Sequence, residues 1–267
     1  MKILLVQYNP VWEDKEINKR KIFSLLEGKE SAGGLIIFPE MTLTGFSMNP
    51  EKLAEEKEGE SFHFFSRIAE KNSCDVLAGL IEKENQKFYN TLLHISSSGK
   101  LINSYRKIHP FSYSKEDKHY TGGKKPITTV IKGWKAGLSI CYDLRFPELF
   151  RFYGKERTDL IINIANWPVP RIEHWRTLLK ARAIENQCYV VGVNRVGTDP
   201  NGTYNGFSSV FDPMGKEIIS VENKEEIISE NKDTEYRVLG LLAIIAACSV
   251  IFLIYKRSKK SDRMNEY

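Results

Sequence analysis

Apolar residues along this chain fall into short runs, separated by charged stretches with helical spacing, the pattern of an α/β fold. Lys2–Tyr8 predicts a first strand, and Ile17, Phe23, Leu25 and Leu26 sit amid charges as on one helix face. Leu35–Phe38 predicts a second strand that ends at Pro39-Glu40. A helix is expected over Phe62–Ala69 and a strand over Val76–Ile81. Thr91–Ile95 and Leu101–Tyr105 flank a Ser-Ser-Gly turn, the mark of a hairpin. Gly137–Ile140 predicts a strand running into Cys141, after which Pro147 suits the first position of a helix that stops near Gly154. Leu160–Ile164 reads as a strand and Arg171–Gln187 as a long helix. Strands over Tyr189–Asn194 and Ser208–Phe211 precede a turn at Asp212–Gly215. With no internal repeat, one domain over 1–222 followed by a charged linker, 223–237, is the economical division.

The pattern changes at the end of the chain. Val238 to Tyr255 is uncharged throughout and precedes Lys256, Arg257, Lys259 and Lys260. As a helix it would span roughly 27 Å, enough for a thin bilayer core, and it lacks the polar stripe of a buried soluble helix. A transmembrane helix at 238–255 with a basic tail at 256–267 is therefore expected, lying outside the α/β domain.

Composition narrows the function classes. The formal net charge is +5, but from Arg237 onward six Lys/Arg stand against two Asp/Glu, so the preceding body is nearly neutral. A neutral body offers no electrostatic footprint for nucleic acid. Cys74, Cys141, Cys188 and Cys248 show neither CxxC spacing nor a His/Cys metal cluster, which fits free thiols and no metal. The N-terminus is too short and too polar in its apolar run for a signal peptide, which favours a cytoplasmic catalytic domain, anchored by the C-terminal span.

Three polar residues close apolar strands, where open α/β sheets bind ligands. Glu40 closes GGLIIFPE, Lys107 closes LINSYRK and Cys141 closes KAGLSIC. A thiol at a strand-to-helix turn is exposed on a sharp elbow, and the Tyr142 N–H behind it could face a developing oxyanion. A carboxylate held rigidly after Pro39 could act as a general base, and a lysine could carry positive charge to a tetrahedral intermediate. Taken singly, each has a plainer reading: a small buried hydrophobe, a solvated loop acid and a solvated basic cluster.

Together they are more specific. FPEMTLTGF around Glu40, YRKIHPF around Lys107 and SICYDLRFPELFR around Cys141 resemble the three signatures of the nitrilase (carbon–nitrogen hydrolase) superfamily. NIANWP (163–168), HWRTLLKARAIENQ (174–187) and VGVNRVG (191–197) extend the similarity to the small-amide branch that contains the ω-amidases. The resemblance covers roughly residues 1–222. It implies an α-β-β-α sandwich that dimerises to give four layers, a cysteine amidohydrolase without cofactor, and a Glu40–Lys107–Cys141 triad. It also implies that Glu116, in SKEDKHYTGG, orients Lys107 and couples to Glu40. Pro110 departs from the usual Leu, and the charged stretch and apolar tail replace the family's C-terminal segment, which puts the dimer in question.

Substrate residues follow less directly. Arg145 could bind a substrate carboxylate through a bidentate pair, or pair with Glu148 or Asp143 within the elbow. Asn166 and Trp167, after another strand end, are candidate pocket walls, although Trp167 could be core. The expected activity is hydrolysis of a small carboxamide, an ω-amide of a short keto or dicarboxylic acid. The alternatives are another amide or N-carbamoyl hydrolase, a Cys–His hydrolase using one of His63, His94, His109, His119 or His174, and a membrane-tethered binding module that has lost catalysis.

Overall fold

The computed structural model describes residues 1–29 and 32–231. Strand β1 (Lys2–Gln7) leads into helix α1 (Lys15–Leu26), whose start is capped by Asp14 accepting from the Ile17 N–H at 2.9 Å. Then come β2 (Leu35–Ile37), the short α2 (Pro50–Leu53), α3 (Glu60–Asn72), and three strands, β3 (Asp75–Glu84), β4 (Lys87–Ile95) and β5 (Leu101–Arg106). The single turn α4 (Glu116–His119) precedes β6 (Thr128–Ile131), β7 (Trp134–Ile140), α5 (Pro147–Lys155), β8 (Leu160–Ile164) and α6 (Ile172–Asn186). Strands β9 (Tyr189–Val193), β10 (Val196–Asp199), β11 (Gly202–Phe211), β12 (Glu217–Glu222) and β13 (Glu226–Asn231) complete it.

Among the described residues the strands form two sheets, one in the order β13-β1-β2-β3-β4-β5 and one in the order β10-β11-β9-β8-β7-β6 with β12 beside β11. The sheets face each other through β1 against β9 and β11, and through β4 against β7. Outside the first sheet, Ile22 and Leu26 of α1 and Phe64, Phe65 and Ile68 of α3 share one apolar cluster with Leu4, Val6, Ile36 and Val76. Outside the second, α6 packs on β9 and β11, and Tyr153 of α5 lies so close to Gly137 that a Cβ there would come within 2.6 Å of its ring. One chain thus supplies all four layers of the expected α-β-β-α sandwich. The layering follows from sequence: the parallel strands β1, β2, β8 and β9 read as continuous apolar runs because both faces are covered.

Strand directions set up the site. β1, β2 and β3 are parallel, β4 is antiparallel to β3, and β5 is antiparallel to β4. The C-terminal ends of β2 and β5 therefore share one edge with the start of β4. In the second sheet β7, β8 and β9 run parallel, so their C-terminal ends share an edge as well.

The structure extends the expected pattern in places. β3 and β4 form a hairpin across Asn85-Gln86, both left-handed (φ 47° and 61°), a connection the apolar runs do not reveal. Residues 223–237, read as a linker from their charge, contain β13, which joins the first sheet beside β1 with Ile227 and Ile228 buried. The flanking glutamates and asparagine hide this short strand in a charge-based reading. No helix of the described residues is long and apolar enough to cross a membrane. The expected transmembrane helix at 238–255 and basic tail at 256–267 lie outside the described residues.

Candidate active site

Glu40 follows β2 in a tight turn whose next residue, Met41, is left-handed at φ 44°. The turn lies directly on β3: Thr42 N donates to the Gly79 carbonyl at 2.9 Å, and Gly79 N donates to Thr42 Oγ1 at 3.1 Å. Only glycine permits this approach, since a Cβ at position 79 would sit 2.6 Å from Met41 N. The backbone of the acid is thereby fixed against the first sheet.

Lys107 leaves the end of β5 and reaches the same spot. Its Nζ donates to Glu40 Oε1 at 2.9 Å and to Glu116 Oε2 at 2.8 Å. Glu40, Lys107 and Glu116 are 1%, 1% and 0% exposed, so one ammonium serves two carboxylates away from water. The Phe111 N–H adds a 2.6 Å bond to Glu116 Oε2. Burial alone would depress the Lys107 ammonium, but Glu116 and Glu40 hold it well above the usual lysine range. Burial pushes the Glu116 carboxyl up; Lys107 opposes this and Glu40 reinforces it.

Cys141 stands at the end of β7 with φ 46°, opening a short 3₁₀ turn that spans Cys141–Arg145. A non-glycine residue there stores of order 1–3 kcal/mol of backbone strain, a feature common at functional sites. Its thiol is held well above the ordinary cysteine range, first by burial and then by the Glu40 charge, while Lys107 and the Asn166 N–H act in the opposite sense. The acid, the amine and the sulfur from three distant stretches thus act on one another at one place. No histidine is among the leading groups that act on the sulfur. His109 instead bonds to Asp143 Oδ1 at 2.8 Å and stacks on Phe146, the rings 3.7 Å apart. A cavity of about 640 Å³ lined by Phe62, His63, Arg67 and Lys100 lies between α3 and the β4–β5 turn, at the opposite end of β5 from Lys107.

Comparison with known proteins decides what this arrangement belongs to. The carbon-nitrogen hydrolase family model matches residues 2–236. The chain is 30% identical to the 2-oxoglutaramate amidase of Bacillus subtilis (strain 168), covering 87% of this chain and 91% of that protein. It is 35% identical to omega-amidase YafV of Escherichia coli (strain K12), covering 83% and 85%. It superposes with a TM-score of 0.86 on XC1258 of Xanthomonas campestris, a CN-hydrolase superfamily protein that is 31% identical, covering 93% of this chain and 96% of that one. The chain belongs to the carbon–nitrogen hydrolase family.

Within this carbon–nitrogen hydrolase, the remaining candidate residues divide by location. Asn166, beyond the end of β8, is engaged with the acid: its N–H donates to Glu40 Oε2 at 2.8 Å and its Nδ2 to the Glu40 carbonyl at 2.7 Å. It acts as a brace from the second sheet to the first. Trp167 is 3% exposed, its indole N–H bonded to the Arg171 carbonyl at 2.7 Å. One face of Trp167 carries the Arg145 guanidinium, 4.9 Å from the ring centroid. Arg145 does not pair with Glu148 or Asp143; its Nη2 meets His174 Nδ1 at 3.0 Å, and it makes no ion pair among the described residues. Tyr142 packs on Phe111 with ring centroids 4.8 Å apart, beside the elbow.

Two residues that sequence reasoning overlooked hold this hydrolase's site together. Asp143, fully buried, accepts from the Ile140 N–H (3.0 Å), the Tyr105 hydroxyl (2.7 Å) and the His109 N–H (3.0 Å), which locks the strained elbow. Asn90, on β4, donates to both Glu40 and Glu116. The signal for Asp143 was its place two residues after the nucleophile candidate. For Asn90 it was a lone amide at the start of an apolar strand.

Proposed function

We propose that the protein hydrolyses the ω-amide of a short keto or dicarboxylic acid to the acid and ammonia, with Cys141 as nucleophile, Glu40 as general base and acid, and Lys107 as oxyanion donor. The observation that carries this reading is one buried ammonium shared by Glu40 and Glu116 beside the Cys141 thiol. A thiol held above its ordinary range stays protonated at rest, so attack requires a base at hand. Glu40 takes the thiol proton as sulfur bonds to the amide carbon. Lys107 has three N–H donors and two are engaged by carboxylates, which leaves one for the oxyanion together with the Tyr142 N–H.

Collapse of the tetrahedral intermediate breaks the C–N bond. Glu40 passes its proton to the departing nitrogen, ammonia leaves, and a thioester remains on Cys141. Water then adds to the thioester carbon with its proton going to Glu40. The C–S bond breaks, the acid departs, and Glu40 returns the proton to sulfur. Glu116 fixes Lys107 throughout.

Arg145 supports an acidic substrate. Its guanidinium is oriented by Trp167 and His174 yet has no carboxylate partner among the described residues, so a substrate carboxylate can complete it. The relatives named for 2-oxoglutaramate and for omega-amides support the same substrate class. Asn166 and Trp167 shape the pocket, Asn166 through Glu40 and Trp167 through Arg145. A homodimer, and a tether to membrane through the uncharged run 238–255, complete the proposal. The test is ammonia release from 2-oxoglutaramate and from an analogue in which the carboxylate is replaced by a neutral group, with Cys141→Ala as control. Preference for the acid and no turnover by Cys141→Ala are expected. Equal use of both amides would remove Arg145 from substrate binding, and turnover by Cys141→Ala would refute the mechanism.

A further inference from the structure

We propose that Asn90 is a positioning residue of the reaction, whose two side-chain N–H groups, engaged one on Glu40 and one on Glu116, hold this carboxylate pair ionised until Glu40 accepts the thiol proton. The proposal rests on the amidase reading, in which Glu40 must be ionised to accept the thiol proton. Asn90 Nδ2 lies 2.7 Å from Glu40 Oε1 and 2.9 Å from Glu116 Oε1. Lys107 bridges the same two acids from its own position, through Glu40 Oε1 and Glu116 Oε2. The four side chains close a ring of hydrogen bonds in which every donor comes from Asn90 or Lys107 and every acceptor from a carboxylate.

The amide orientation is dictated by its surroundings. Asn90 is 2% exposed, and its Oδ1 has no hydrogen-bond partner among the described residues. Turning the amide over would place that oxygen against two carboxylate oxygens, so the donors must face the acids. The backbone holds the side chain there: Asn90 pairs with Ile81 on β3, and its carbonyl accepts from the Lys107 N–H at 2.9 Å. A buried residue with an unpartnered oxygen and both donors engaged is kept for its donors.

The charge balance explains why donors are needed. Two carboxylates share one ammonium, leaving an excess negative charge among buried side chains, and burial and the Glu40 charge both push the Glu116 carboxyl up. Among the described residues, the Cys141 thiol, the Tyr120 hydroxyl and the Tyr204 hydroxyl also interact with the charges of the ring, and each is held protonated by its surroundings. The Glu116 carboxyl, which burial pushes up, is therefore the group of the ring most open to protonation. Hydrogen bonds to the charged form oppose that step, and Asn90 supplies one to each acid.

The experiment is the pH profile of kcat/KM for 2-oxoglutaramate in the full-length enzyme and in Asn90→Leu, Asn90→Ser and Asn90→Asp, with melting temperatures alongside. In Asn90→Leu the acidic limb should move up by about one pH unit or more, a loss of about ten-fold at the low end, with recovery toward wild-type rates at high pH. Asn90→Ser keeps one hydroxyl donor and should lie between; Asn90→Asp adds a third acid and should move furthest. An acidic limb that coincides with wild type, or a loss by the same factor at every pH, would overturn the proposal. If Asn90→Leu does not fold, Asn90→Ser is judged by the same criterion. If the wild-type enzyme turns over neither amide, the amidase reading fails, and the limb is read instead from iodoacetamide alkylation of Cys141, followed by mass.

Discussion

The two ends of the site differ in how completely they satisfy themselves. At the inner end, Glu40, Lys107, Glu116 and Asn90 are each 2% exposed or less and make a closed ring of hydrogen bonds. At the outer end, Arg145 is only half-buried and His174 is exposed, and the guanidinium has no acidic partner among the described residues. Preorganised charge is worth most where water is absent, so the inner end suits bond making and breaking. A cation oriented by one aromatic face and one imidazole, but unpaired, suits recognition of an anion that comes and goes. On the proposed reading, reaction and selectivity fall to these two groups of residues, and each should fail differently when altered.

Breaking the inner ring should have the largest effect. Lys107→Met leaves two buried carboxylates facing each other without a counter-ion, which should cost about 3–5 kcal/mol of stability and reduce turnover by about a thousand-fold or more. Denaturant unfolding and steady-state rates check this; near-native values of both would show that the ring is dispensable. Next comes Gly79→Ala, which forces a Cβ to within 2.6 Å of Met41 N and displaces the Glu40 turn. It should lower stability by about 1–3 kcal/mol and lower kcat more than it raises KM.

At the outer end the loss should be smaller and confined to acid substrates. Arg145→Gln should raise KM for 2-oxoglutaramate about 10- to 100-fold, the worth of a charged hydrogen-bonded pair, and leave a neutral amide nearly unchanged. A parallel loss on both amides would merge the two ends. The smallest effect is a pH dependence. Because burial and Glu40 raise the Cys141 thiol, reaction with a neutral disulfide reagent that does not use the base should keep accelerating above about pH 8.5, where an ordinary thiol levels off. A plateau reached below that pH would contradict the environment described for the sulfur.

Much of this is legible in the amino-acid sequence. Glu40, Lys107 and Cys141 each close a strand of high apolar content, and strand ends are where α/β sheets gather their chemistry. Glu116 was accessible only through the family resemblance, because a glutamate in SKEDKHYTGG carries no periodic signal of its own. Asp143 and Asn90 were passed over for a common reason: each does its work through contacts with residues distant in the chain, Tyr105 and His109 in one case and Glu40 and Glu116 in the other. Asn166 is a candidate pocket wall from its place past a strand end, but that place does not say which sheet the side chain will meet, and the bonds its donors make to Glu40 are not legible in the sequence. β13 was hidden for a local reason, its two isoleucines being enclosed by glutamates.

The proposed thioester on Cys141 is tested most directly by adding hydroxylamine during turnover of 2-oxoglutaramate and measuring hydroxamate against ammonia. A thioester should be intercepted, so hydroxamate should form in increasing proportion as hydroxylamine is raised, and only while Cys141 is present. Continued ammonia release with no hydroxamate at any hydroxylamine concentration would mean that water attacks the amide directly, and Cys141 would not be the nucleophile.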